Sequence, residues 1–264
     1  EKERLYGLGS DDAGGCLVSL MATFLHFYET QGPYNLIFLA SAEEEISGRN
    51  GVSVVLPELG DIDFAIVGEP TLMQMAVAEK GLMVLDCTVE GEAGHAARNE
   101  GKNAIYEALP IIQWFKTYQF EKQSQWLGPI KMSVTQVNAG TQHNVVPDTC
   151  QLVVDVRTTD VMSNEEVLDL IQGSIHCEVK ARSTRLNPSS ISVEHPIVQA
   201  GKALGMSMYG SPTLSDQALM SFPSLKLGPG DSARSHTADE FIGLEEIEEG
   251  IELYIKLLNR LLKK

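Results

Sequence analysis

The sequence predicts an α/β fold: a domain with a mainly parallel sheet flanked by helices, interrupted by an inserted α+β domain with a four-stranded antiparallel sheet and two helices. Three observations carry this. Apolar runs at 35–42 and 63–68 alternate with helical periodicity, and each ends in carboxylates. From Lys80 the texture changes to strands that alternate polar and apolar residues, as half-exposed antiparallel strands do. Sheet-and-helix texture returns after Arg185. The expected division is residues 1–79 and 186–264 for the first domain and 80–185 for the insertion.

A short strand at 4–9 leads to Ser10, Asp11 and Asp12, all residue types that cap helix N-termini. A cap accounts for one of these aspartates; the second needs another partner. Leu17, Leu20, Met21, Phe24 and Leu25 then recur at helical spacing and are expected to face the core, until Gly32-Pro33 stops the helix. Residues 35–42 read as a buried strand that runs into Glu43, Glu44 and Glu45. A short helix at 51–59 and a second buried strand at 63–68 follow, the latter ending in Glu69-Pro70-Thr71. Strand, helix and strand with short connections imply a parallel right-handed unit. Glu44, Glu45 and Glu69 then share one sheet edge near the start of the Asp12 helix.

In the insertion, the strands are expected at 81–89, 130–137, 150–156 and 175–181. Its helices are expected at 103–118, with Ile105, Leu109, Ile112 and Phe115 inward, and at 165–174. Beyond it, 196–209 reads as helical, a turn at 211–216 precedes a helical turn at 217–220, and 224–227 is a short strand. That strand runs into a Gly-rich loop ending at His236. Residues 244–262 form a long amphipathic helix whose last turn is basic, which suits its dipole.

A chain of 264 residues that is 43% hydrophobic can bury the core of one or two domains. Twenty basic residues against 36 acidic ones give a formal net charge of −16, which disfavours nucleic acid and anionic membrane as partners. Cys16, Cys87, Cys150 and Cys177 are widely spaced and lack the close pairs of a structural zinc site. They read as reduced core residues of a cytoplasmic protein. No apolar run reaches membrane-spanning length, and there is no signal peptide. The chain starts at Glu1 and reaches sheet-like sequence almost at once, as if entered partway through a domain.

Three adjacent glutamates beside a core strand repel one another and are costly to desolvate, so they need cations or water. A solvated loop is the plain alternative. His236 joins Asp12, Glu44, Glu45 and Glu69, all expected at strand or helix ends. Oxygen and imidazole donors in that mix suit zinc and, less selectively, cobalt or manganese. A two-metal site needs a shared carboxylate, terminal ligands for each ion and a base for the attacking water.

The ordered motifs are Gly9-Ser10-Asp11-Asp12-Ala13-Gly14-Gly15, Ala42-Glu43-Glu44-Glu45, Gly68-Glu69-Pro70-Thr71, Gly94-His95-Ala96-Ala97, Asn144-Val145-Val146-Pro147, Asp155-Val156-Arg157, and Gly228-Pro229-Gly230 through His236. Along the whole chain this set resembles the zinc-dependent metallohydrolases that include acetylornithine deacetylase, succinyl-diaminopimelate desuccinylase, aminoacylase and glutamate carboxypeptidase. Its texture is most similar to the acetylornithine deacetylase branch. The resemblance implies hydrolysis of the amide of an N-acyl amino acid, as in N-acetylornithine deacetylation for arginine biosynthesis. It implies that Asp12 bridges two metals, that Glu45 and His236 complete one ligand set, and that Glu69 serves the other. Glu44 is then the general base acting on the bridging water. His95 is implied to reach the partner subunit's site and steady the oxyanion. Asn144, Arg157, Gly230 and Ser232 are implied to hold substrate, although Arg157, on a strand, equally suits a structural ion pair. Two zinc ions per full-length subunit are implied, with cobalt possible, and a homodimer formed through the inserted domain.

One departure matters. The family places a His-x-Asp motif upstream of the bridging aspartate. Here none of His26, His95, His143, His176, His195 and His236 precedes Asp12. His26, mid-helix among Phe24, Leu25 and Phe27, reads as a packing residue. One ligand set (Asp12, Glu45, His236) is therefore complete and the other (Asp12, Glu69) incomplete. If the molecule ends at Glu1, at most one firmly held metal and little activity are expected. The alternative reading is a catalytically impaired fragment or non-catalytic relative that self-associates. A nucleotide-binding reading is poor, because adjacent aspartates beside the glycines would repel phosphate.

Overall fold

The computed structural model describes residues 3–262. The chain divides into two compact units, one comprising Glu1–Glu79 with Ser189–Lys264 and the other Lys80–Pro188. The first unit begins with β1 (Arg4–Tyr6), a tight turn at Ser10–Gly14, α1 (Gly15–Phe27), a 3-10 turn at Glu44–Ile46, α2 (Val52–Val55), β2 (Ala65–Val67) and β3 (Met75–Glu79). The second contains β4 (Met83–Glu90), β5 (Gly94–His95), α3 (Ala104–Thr117), β6 (Lys131–Ala139), β7 (Val145–Val146), β8 (Thr149–Arg157), α4 (Asn164–Ser174) and β9 (Glu178–Ala181). The chain then returns through β10 (Ser189–Ser190), α5 (Pro196–Ala203), β11 (Met208–Ser211), a 3-10 turn at Asp216–Leu219, β12 (Ser224–Lys226), β13 (Phe241–Gly243) and α6 (Leu244–Leu262).

The sheet of the first unit runs β10-β3-β12-β2, with β11 also on β3. Most of its register is parallel, through β2 on β12 and β3 on β11; the antiparallel contacts of β3 with β10 and β12 are shorter. Every residue of β3 is buried, so this strand is the centre of the core. A separate antiparallel pair, β1 with β13, ties the start of the chain to the residues just before α6. The Tyr254 hydroxyl of α6 donates to Leu227 O at 2.5 Å and anchors the helix to the end of β12.

Three expectations are corrected in this unit. Residues 35–42 have no regular structure and pair with no strand among the described residues; β2 pairs with β12 instead, and Ile37 is 55% exposed. An apolar run becomes a strand only where a partner offers its backbone groups. Second, α1 buries Gly15, Cys16, Ser19, Thr23 and Phe27, while Leu17, Met21 and Leu25 face outward. Small residues let α1 and α6 approach closely, and the two hydroxyls are used: Ser19 Oγ donates to Ile247 O and Thr23 Oγ1 to Ser19 O. His26 is exposed, its ring edge-on to Phe27, and does not pack in the core. Third, helix α5 ends before Gly205, whose φ of +82° stops it, and 208–211 is a strand.

The second unit holds the four-stranded antiparallel sheet, in the order β6-β8-β4-β9, as the alternating sequence predicts. Along β4, Met83, Leu85, Cys87 and Val89 point into one core with Leu152, Val154 and Val156 of β8. Helices α3 and α4 contribute Ala104, Ala108, Ile111, Phe115, Val167 and Ile171 to it. The inward face of α3 is thus rotated from the expected one: Ile105 and Leu109 are exposed, because close approach to the sheet selects Ala104 and Ala108. Buried Asn164 closes the unit, its amide donating to the carbonyls of Leu82, Thr184 and Leu186. Leu152→Ala is expected to destabilise this unit by about 2–5 kcal/mol, read by denaturant unfolding. A cost below about 1 kcal/mol would remove Leu152 from the core.

All four cysteines are free; three are buried and Cys177 is half-buried. No helix among the described residues is long and apolar enough to cross a membrane.

Candidate metal centre

Three distant stretches of the first unit converge on one point. His236 Nε2 lies 3.4 Å from Asp12 Oδ2 and 3.5 Å from Glu45 Oε2. One donor atom from each of these residues falls within 4.8 Å of the others, the only such group of three among the described residues. Each is placed by a loop that the sequence shapes locally. Asp11 N and Asp12 N donate to Glu240 Oε1 at 2.9 and 3.0 Å, which fixes the turn before α1. Neither aspartate caps the helix. Asp11 is buried: its Oδ1 accepts from Asp231 N at 3.2 Å and faces Arg234 at 3.8 Å. The pair thus splits its roles, Asp11 into the fold and Asp12 into the cluster. Gly230, at φ +89°, is required here, since a Cβ would collide with Asp11 Oδ1.

The glutamate run divides likewise. Glu43, at φ +61°, turns away and accepts from Asn50 N at 3.0 Å and Asn50 Nδ2 at 3.1 Å. Glu44 and Glu45 remain with the cluster. His236 is itself held at φ +59°, an uncommon conformation for a residue with a Cβ and one that recurs at functional sites.

The electrostatics test whether a cation fits. Burial first, then Asp216, Glu45 and Asp12, push the Glu44 carboxyl up to about 7 against the counter-effect of Lys226. Burial also drives Glu69 well above the carboxylate range, with Glu44, Asp12 and Glu79 adding to it and Lys226 opposing. Half-buried Asp12, Glu44 and Glu69, with Glu45 and His236 exposed beside them, are a donor set that a divalent cation stabilises, because it relieves the desolvation of the inner carboxylates and the like-charge repulsion among all four. The residues fit a metal: Asp12, Glu45 and His236 would hold it. Glu69 flanks Asp12, with no third donor beside that pair among the described residues.

The second unit brings His95 and Asn144 together. Strands β5 and β7 place His95 opposite Val145, and Ala96 N donates to Asn144 O at 3.1 Å. His95 Nδ1 accepts from Ala97 N at 3.2 Å, which leaves Nε2 as the proton-bearing nitrogen of the neutral ring, exposed to solvent. Arg157 sits at the far end of β8 from Asn144 and is engaged bidentately by Asp155, Nε to Oδ1 at 2.9 Å and Nη2 to Oδ2 at 3.0 Å. Its geometry is that of the ion-pair alternative. In the first unit, Gly230 and Ser232 lie on the loop that leads to His236, Ser232 exposed.

Several residues at this site escaped the sequence. Glu240 holds the Asp12 turn; burial raises its carboxyl, but the amides of Asp12, Asp11 and Gly9 outweigh that and hold it below the usual range. The Lys226–Glu79 pair and Asp216 were hidden too, Lys226 inside an apolar strand and Asp216 in a turn of ordinary composition.

Residues 77–181 match the family described as a peptidase dimerisation domain. Acetylornithine deacetylase of Proteus mirabilis is 30% identical over 285 aligned positions, spanning 98% of this chain and 72% of that enzyme. The chain belongs to the acetylornithine deacetylase and succinyl-diaminopimelate desuccinylase family of metallohydrolases. Solved structures agree on the fold. Aminopeptidase PepT of Bacillus cereus superposes with a TM-score of 0.72 at 17% identity, covering 94% of this chain and 70% of that one. The YXEP protein of Bacillus subtilis, described as a dinuclear metal binding peptidase, gives 0.66 at 18% identity over 94% and 72%. For this family the resemblance of the motifs and the architecture of both units point the same way.

Proposed function

We propose that this protein hydrolyses the amide bond of an N-acyl amino acid of the N-acetylornithine type. The observation that carries the reading is the convergence of Asp12, Glu45 and His236 beside Glu44. A zinc ion held by the first three supplies a Lewis acid and lowers the pKa of water. Glu44, a half-buried carboxylate whose pKa is pushed up to about 7, takes the proton of the attacking water and returns it to the departing amine nitrogen. His95 Nε2–H, its tautomer set by the Ala97 amide, is the donor to the tetrahedral oxyanion in the partner subunit's site. Asn144, Gly230 and Ser232 hold the substrate, and Arg157 joins them only if its Asp155 partner releases it. Self-association through residues 77–181 belongs to the same reading. A cytoplasmic location suits a small amino-acid substrate and four free thiols.

The test is zinc affinity by chelator competition, together with hydrolysis of N-acetyl and N-succinyl amino acids. His236→Ala should weaken zinc binding by more than the roughly 10–100-fold that losing an outer partner costs. Unchanged affinity in that variant, or a zinc-loaded parent inert on every substrate, would overturn the reading.

A further inference from the structure

Beside the acidic cluster lies a buried polar strip to which no role has been given. It starts at Lys226 on β12, whose side chain is 3% exposed. The ammonium reaches Glu79 Oε2 at 3.1 Å and Thr213 O and Oγ1 at 3.2 Å each, so its three donors are all used. Glu79, fully buried on β3, accepts in turn from Ser215 N at 3.1 Å and Ser215 Oγ at 2.8 Å. The next residue is buried Asp216, whose Oδ2 accepts from Ser41 Oγ at 2.6 Å. Ser41 stands three positions before Glu44. Among the described residues this is the one hydrogen bond that residues 35–42 make.

A buried ion pair contributes little net stability over an apolar pair of the same volume, so what it provides here is a fixed geometry. Lys226 and Glu79 clamp the turn that carries Thr213 and Ser215, and the clamped turn aims Asp216 at Ser41. We propose that Asp216 is a positioning residue: through Ser41 it sets the place of the loop that carries Glu44 and Glu45. This rests on the reading of Glu44 as base and Glu45 as ligand, but the tether itself is testable without it.

The experiment compares Ser41→Ala, Asp216→Ala, their double variant and Ser41→Thr in the full chain. Hydrogen exchange is followed at Ser47 and Gly48, whose amides donate to Glu44 O at 2.7 Å and Glu43 O at 2.9 Å. Losing a hydrogen bond to a carboxylate is expected to speed exchange there about tenfold in each single variant. The double variant should be no faster than either, since both changes cut one tether, and Ser41→Thr should behave as the parent. With N-acetylornithine, kcat should fall by a similar factor while KM stays within about twofold, the mark of a displaced base. Exchange unchanged by Ser41→Ala, or two effects that multiply in the double variant, overturns the inference. A parent that turns over no N-acyl amino acid would sink the functional reading alone, because the exchange data still decide the tether.

Discussion

Glu44→Gln should lower kcat for N-acyl amino acid hydrolysis by about 10²–10⁴-fold, the range that a positioned general base supplies. The substitution keeps the size of the side chain and removes its ability to take a proton. It also removes one of the charges that Glu69 feels, so the remaining cluster is less self-repelling than in the parent. Zinc affinity should even so be retained or slightly lower, since Asp12, Glu45 and His236 are untouched but the cation loses one neighbouring negative charge. KM should stay near the parent value, because a group acting only on the proton in flight contributes equally little to ground-state binding. Rates and metal content measured on one preparation decide the matter. A variant that keeps more than about a tenth of the parent kcat would remove Glu44 from the base role. One that loses zinc along with activity would make it a ligand.

The parts of the molecule that were legible in sequence share a physical reason. β4 and β8 alternate strictly along their length, and a half-exposed strand cannot alternate without declaring which face is buried. Helix α6 was legible to the residue because its buried positions Gly250, Tyr254, Leu257 and Leu261 recur at helical spacing and its ends carry acid first and base last. Where apolar pattern misled, the answer depended on a partner. Residues 35–42 have strand composition but no strand paired with them among the described residues. Helix α1 carries more leucine on its open side than on its buried one, because contact with α6 rewards small side chains. At the site, Asp12, Glu45 and His236 were readable from motif order, and the structure brings those three together. The supporting groups were not. Glu240, Asp216 and Lys226 act through hydrogen bonds to residues more than ten, and mostly more than a hundred, positions away. Such pairings leave no local periodicity.

Lys226→Met should cost about 3–5 kcal/mol of stability at pH 8, the scale for leaving one partner of a buried ion pair unpaired. Glu79 would keep both donors of Ser215 but lose its cation at a position with no solvent access. In the parent, burial already raises the Glu79 carboxyl, with Lys226 and Ser215 holding it back. Removing Lys226 raises it further. A carboxyl whose folded pKa lies above its unfolded value binds more protons when folded, so stability falls as pH rises through the window between the two. The deficit of Lys226→Met relative to the parent should accordingly shrink as pH is lowered from 8 through the window between the folded Glu79 pKa in the variant and its already raised pKa in the parent, the unfolded value being common to both. Adding Glu79→Gln should recover most of the loss at pH 8, because glutamine keeps an acceptor for Ser215 without a charge to bury. Urea unfolding of the parent, Lys226→Met and the double variant at two pH values reads all of this. Equal stability of the single and double variants at pH 8 would mean that Glu79 carries no burial penalty once Lys226 is gone, so the loss in Lys226→Met would not come from an unpaired carboxylate. The clamp on the turn before Asp216 would then rest on Ser215 and Thr213, not on the ion pair.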